Sequence, residues 1–105
     1  MIVRQVRCVV AEQDLPAFLE HARQVVQRHA GNVDGLLALE LGINHPDGKD
    51  VTVLAQSHWR DFAAMQAYLG TNLYRPALWD ADERWLKAAI VEHYEVVARD
   101  ESETA

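Results

Sequence analysis

The sequence has one cysteine, Cys8, and only two serines, Ser57 and Ser102. A lone cysteine rules out an intrachain disulfide, and a thiolate metal site would need its other ligands from different residue types. Ser57 falls at the end of a strand pattern rather than in a sharp strand-to-helix elbow, so nucleophilic hydrolysis by a Ser-His-Asp set has little support. The five glycines are scattered, with no GxGxxG run or P-loop spacing to cradle phosphates. The five histidines, His21, His29, His45, His58 and His93, fit no HxH or HExxH spacing. No metal site is therefore expected. No stretch approaches the roughly 18 uninterrupted apolar residues of a membrane span, so no membrane association is expected. The start "MIVRQVRCVV" breaks its apolar residues with Arg4, Gln5 and Arg7, unlike a signal-peptide core, and a cytoplasmic location is the simplest expectation. Basic residues are also scarce. Ten Lys and Arg face sixteen Asp and Glu, for a net charge of −6, and without a basic cluster nucleic acid is not an expected partner.

What is present is an ordinary globular composition in 105 residues, 50% apolar and 25% charged. That length accommodates one small domain, placed at residues 1–99, followed by a polar tail at 100–105 that is expected to fray. Ile2 to Val10 reads as a strand rich in Val and Ile. "DLPAFLEHARQVVQRHAG" changes to helical period, with Leu15, Phe18, Leu19, Ala22, Val25 and Val26 on one face, Asp14 at the cap position and Gly31 as the stop. Two strands follow in "GLLALELGINHPDGKDVTVLAQSHW", joined by a turn carrying Pro46 and Gly48. In the first of them Leu37, Leu39, Leu41 and Ile43 are expected on one face, with Leu36, Ala38, Glu40 and Gly42 on the other. A second helix is predicted from about Asp61 to Leu69, ending at Gly70. "DADERWL" reads as a possible short third helix, and "AIVEHYEVVA" as the last strand.

Two βα-plus-strand halves in this order make an α+β, ferredoxin-like βαββαβ fold: a four-stranded antiparallel sheet with both main helices on one face. The uncovered face also carries apolar residues, so a homodimer through the sheet faces is expected. Arg4, Glu40, Gln56 and Glu92 are the polar residues expected at that interface. His58, Trp59, Phe62, Tyr68, Tyr74, Trp79 and Trp85 crowd into 28 positions. Any one of these rings can be core filling. Together they resemble the lining of an apolar pocket with a few oriented polar groups, suited to a small aromatic molecule. Histidine titrates near neutral pH, so His58 is the candidate general base, beside Trp59. Trp59, Phe62, Tyr68, Tyr74 and Trp79 are the candidate substrate-binding residues. His93 faces pocket or interface depending on strand phase, and Cys8 reads as a small buried hydrophobe.

Over roughly Val3 to Val97 the sequence resembles the antibiotic biosynthesis monooxygenase family of small dimeric α+β-barrel proteins. The resemblance is carried by element order and by "VDGLLALELGINHPDGKDVTVL", "SHWRDFAAMQAYL" and "TNLYRPAL". It implies a homodimer, a ligand cavity between helices and sheet lined by Trp59, and oxygenation of aromatic, phenolic or quinol-type molecules without metal or flavin. A non-catalytic binding or stress-response protein on the same scaffold is the alternative. It is favoured by Ser57 where many members have glutamate and by Leu73 where many have histidine. Leu78 stands where the haem-degrading branch places its iron-binding histidine, which disfavours haem degradation.

Overall fold

Val6, Cys8 and Val10 occupy alternate, buried positions of a first strand, β1 (Ile2–Ala11), and this alternation orients the whole sheet. The computed structural model describes residues 1–29, 31–44, 50–74 and 85–100. After β1 a single 3-10 turn (Glu12–Asp14) leads into α1 (Leu15–His29). Next come β2 (Leu36–Ile43), β3 (Asp50–Trp59), α2 (Phe62–Leu69) and β4 (Leu86–Glu95), giving the expected βαββαβ order. The sheet runs β2-β3-β1-β4 with every neighbouring pair antiparallel. The Pro46–Gly48 turn, the segment holding Pro76, Leu78 and Trp79, and the tail beyond residue 100 lie outside the described residues.

The helices cover one face because each presents a single apolar stripe. Phe18, Ala22 and Val25 of α1 are fully buried, and Phe18 and Ala22 join Val6, Cys8, Val10, Val51, Val53 and Ala55 in the main core. A second cluster gathers Trp59, Ala64 and Met65, with Ile2, Val33, Leu36 and Leu69 packed around it. Gly31 closes α1 with a φ of +73°, as expected of a helix stop. Asp61 caps α2, its carboxylate accepting from the Ala64 N–H at 2.8 Å. The half-buried Trp85 ring meets Phe18 edge-on, at 6.0 Å between centroids and 80° between planes, and packs against the main core.

Three expectations need correction. The pairing of β2 slips between Leu36 and Ala38, so Leu36 aligns with Trp59 and joins the helix-covered side, while Leu37 is 56% exposed. A bulge adds one residue to a strand and reverses the facing of everything beyond it, which simple alternation cannot show. Second, β4 begins at Leu86, so a helix over "DADERWL" cannot extend through that residue. Third, Arg4 is in phase with Val6 and Cys8 and lies under the helices at 7% exposure, not on the open face.

The junction before β2 is held by backbone approach. Gly35 has a φ of +79°, its carbonyl accepts from the Arg60 N–H at 2.8 Å, and a Cβ added there would run into the Ala64 side chain. Left-handed backbone costs a side-chain-bearing residue about 1–2 kcal/mol, and overpacking adds about 1–3 kcal/mol. Gly35→Ala is therefore expected to lower unfolding stability by about 2 kcal/mol or more in urea titration. Gly35→Ala combined with Ala64→Gly should recover the packing part of that loss and not the backbone part.

Candidate functional site

Register across the four strands creates a row of side chains under the helices that is unlike its neighbours. Leu39 pairs with Ser57, Ser57 with Arg4, and Arg4 with His93. The next row inward, Leu41, Ala55, Val6 and Val91, is wholly apolar. A hydroxyl, a guanidinium and an imidazole thus lie side by side, between that apolar row and the row of Leu36, Trp59, Ile2 and Glu95.

A cavity of about 30 Å³ sits over the Leu39, Ser57 and Arg4 part of this row, and His93 is not among its lining residues. Leu36, Leu39, Ala55 and Leu69 supply its apolar lining, and Trp59 and Tyr68 its aromatic walls. Arg4, Ser57 and His29 are the polar side chains that line it, and no described lining residue carries a carboxylate. The volume matches about one water molecule, whereas a cavity that encloses benzene is on the order of 150 Å³. A ring does not fit within that volume as it stands.

Trp59 is 3% exposed, and its indole N–H donates to the Ser57 hydroxyl at 2.9 Å. That bond satisfies the polar atom of a buried indole and holds the ring plane against the cavity. The Tyr68 ring lies 5.8 Å from Trp59, tilted by 34°, and meets His29 edge-on at 6.0 Å. His29 places Nδ1 2.8 Å from the Val25 carbonyl, and since a carbonyl only accepts, Nδ1 carries the proton.

Arg4 reaches the Leu73 carbonyl at 3.5 Å, and burial lowers its pKa from the ordinary arginine value. His93 also bonds to the Leu73 backbone. Its pKa is lowered, first by burial and then by the positive field of Arg4, against the Leu73 bond that favours the charged form. Its Nε2 is buried without a hydrogen-bond partner among the described residues. The Tyr74 ring rests 5.0 Å from the His93 ring.

Of the sequence candidates, Trp59 and Tyr68 meet at the cavity. His58 does not: adjacent strand residues point to opposite faces, so it lies on the open side of the sheet. There it contacts Glu40 at 3.2 Å and Gln56 at 3.3 Å. Within one subunit it cannot serve as base at the Trp59 cavity. Phe62 opens α2 at 44% exposure and does not line the cavity. Tyr74 is 72% exposed and packs beside His93 instead. Trp79 lies outside the described residues. Sequence reading missed Arg4, which was expected at an interface, and treated Ser57 only as a departure from a family pattern. The even-numbered phase of β1, with Val6, Cys8 and Val10, was the signal that Arg4 belongs under the helices.

Among the described residues no three His, Cys, Asp or Glu side chains gather to hold a metal ion, and no helix is long and apolar enough to cross a membrane. No protein-family model matches the sequence, and no curated protein matches it. Solved structures do match. An antibiotic biosynthesis monooxygenase structure aligns over 93% of this chain and 100% of its own, at 16% identity and a TM-score of 0.67. The chain has the antibiotic biosynthesis monooxygenase fold. A Streptomyces coelicolor monooxygenase with this fold, solved with the ligand nanaomycin D, aligns over 94% of this chain and 89% of its own at 20% identity and a TM-score of 0.66. The heme-degrader MhuD of Mycobacterium tuberculosis, with two hemes bound in its active site, aligns over 93% and 98% at 20% identity and a TM-score of 0.58.

The Ser57 to Trp59 bond gives a direct check on this geometry. Ser57→Ala leaves a buried indole N–H unpaired, which costs about 1–3 kcal/mol. Urea unfolding should show that loss in the native Trp59 background, and a much smaller effect of Ser57→Ala when Trp59→Phe has already removed the donor.

Proposed function

We propose that this chain is a cofactor-independent monooxygenase of small aromatic, phenolic or quinol-type molecules, acting in the cavity beside Trp59. The observation that carries this reading is Ser57 and Arg4 lining an apolar, aromatic-walled cavity, with His93 next to Arg4 in the same row, in a fold shared with a monooxygenase solved with the ligand nanaomycin D. A substrate anion is a good one-electron donor to dioxygen, and Arg4 is placed to favour that anion by charge. For an anthrone-type methylene the reaction consumes one O₂: the CH₂ becomes C=O, and its two hydrogens leave with the second oxygen as water. Trp59 and Tyr68 keep the site dry. His93, beside Arg4, takes the proton-accepting role first assigned to His58. Burial and the Arg4 charge keep its imidazole neutral to lower pH than an ordinary histidine.

The proposed assembly is a homodimer through the open sheet faces. On that face Glu40, Gln56, Gln5 and Glu92 form one polar row, with Gln5 donating to Gln56 at 2.7 Å and Gln56 to Glu40 at 2.9 Å. Ile90 and Tyr94 beside it are exposed in the single chain. Sedimentation at micromolar concentration is expected to show a dimer, and Ile90→Lys to shift it toward monomer.

The small cavity volume favours a second reading, a non-catalytic binding protein on the same scaffold. Metal-free protein incubated with anthrone- and quinol-type compounds separates the two. Oxygen-dependent product, lost in Trp59→Ala and unchanged in His58→Ala, is the expected result. The rate should fall as pH drops through a value below the ordinary histidine range, because protonation removes the acceptor on His93, and His93→Gln should lack that limb. Ligand binding without product across such a panel would establish the binding reading.

A further inference from the structure

Among the described residues, the strands place three carboxylates on the open face of the sheet, and their partners differ in kind. Glu92 is held by Arg7 at 3.7 Å and by the Tyr94 hydroxyl, which donates to it at 2.6 Å. Asp50, in phase with Gln56 and His58 on β3, is held by Lys87 at 3.0 Å. Arginine and lysine keep their charge throughout the neutral range. Glu40 instead meets His58 at 3.2 Å and accepts from the Gln56 amide at 2.9 Å. Histidine is the residue type in this group whose charge changes between about pH 5 and pH 8. Because a carboxylate only accepts, the His58 Nε2 that faces Glu40 carries a hydrogen in either charge state, and Nδ1 is where the additional proton goes. The rest of the His58 row is Ala38, Val3 and Tyr94. Beyond Val3 come the Met1 amino group and Arg99, which touches the Met1 sulfur at 3.8 Å. The charged side chains of the strands on this face therefore sum to one negative charge with His58 neutral, and balance with His58 protonated.

Resting on the proposed homodimer through these faces, we infer that association of two copies takes up protons at the His58 and Glu40 pair, so that the open face is a pH-responsive contact that tightens as pH falls from about 8 to about 6. The second copy fits because the central row can meet its own twofold image: Gln5 and Gln56 each carry both a donor and an acceptor, and Ile90 and Tyr94 add apolar area beside them. With His58 neutral, two faces of the same negative sign are brought together and the Glu40 carboxylate loses water without a counter-charge. A protonated His58 removes both penalties. Burial disfavours charge on either side chain taken alone, but it favours the pair that holds one proton between them over the pair that holds none on Glu40 and a neutral His58. The sign follows from linkage. The dimer binds more protons than two separate chains, so lowering the pH favours it, until the separate chains are themselves protonated and nothing further is gained.

The test uses the full chain in fluorescence-detected sedimentation, diluted to about nanomolar concentration, at constant ionic strength and at about pH 6, 7 and 8. The dimer dissociation constant is expected to be about tenfold or more lower at the acid end than at the alkaline end. His58→Gln keeps a donor for Glu40 but cannot take up the proton, and should hold the weaker, alkaline value throughout. Glu40→Gln removes the carboxylate that the proton neutralises, so it should dimerise tightly at the alkaline end and lose or reverse the trend. Circular dichroism checks that each variant is folded at each pH, and if one is not, the wild type and the other variant decide. A wild-type dissociation constant that stays level or rises as pH falls, or a trend that survives in folded His58→Gln, overturns the inference and leaves the homodimer standing. Monomer at every pH removes the homodimer reading and this inference with it.

Discussion

The hydrogen-bonding of β1 to strands on both of its sides is the constraint on which the rest of the site depends. β1 pairs with β3 along one edge and β4 along the other, so position 4 is locked opposite Ser57 and His93 together. Strand pairing has a period of two, and a slip of one residue on either side would send one of these groups to the opposite face. The same lock directs Trp59 under the helices and His58 away from them. A buried arginine survives there because the surrounding apolar rows anchor the register and the Leu73 carbonyl meets its guanidinium.

The sheet therefore has two faces of different chemical character. On the helix-covered face β1 and β3 contribute Arg4 and Ser57, joined by His93 of β4 in one row beside a small cavity, with the exposed Glu95 one row further along β4. On the open side amides and carboxylates form a hydrogen-bonded row across the strands, extended by the Arg7–Glu92 ion pair at 3.7 Å and by the Tyr94 hydroxyl donating to Glu92 at 2.6 Å. An amide row of this kind leaves hydrogen-bonding capacity for a partner or for water, which suits an interface better than a core.

α2 roofs the cavity, and Ala64 and Met65 are its buried residues. Its position is maintained at the N-terminal end, by the Asp61 cap, by the Gly35–Ala64 approach and by Arg60, which reaches both Asp61 at 3.2 Å and Asp34 at 3.5 Å. Tyr68 and Leu69 lie at the far end of the helix, away from those attachments.

Local patterning was enough to read the order of elements, the helix stops and the ferredoxin-like arrangement. Val6, Cys8 and Val10 announce a strand by alternation, Phe18, Ala22 and Val25 a helix by spacing, and Asp61 and Gly70 the ends of another. Trp59 as a pocket wall was legible too, because it closes a strand in phase with buried Val51, Val53 and Ala55. His58 was misplaced although that phase, taken strictly, sends it outward. His58 is next to Trp59 in sequence, but strand alternation puts the two side chains on opposite faces. The facing of Leu36 lay beyond pattern reading, since the β2 bulge exists only once β2 is paired with β3. The row of Ser57, Arg4 and His93 was likewise a tertiary result. These residues stand 53 and 36 positions apart along the chain, and only the registers of two strand pairs bring them side by side. Periodicity within a segment determines which side of an element is apolar, but long-range pairing decides which polar groups share a site.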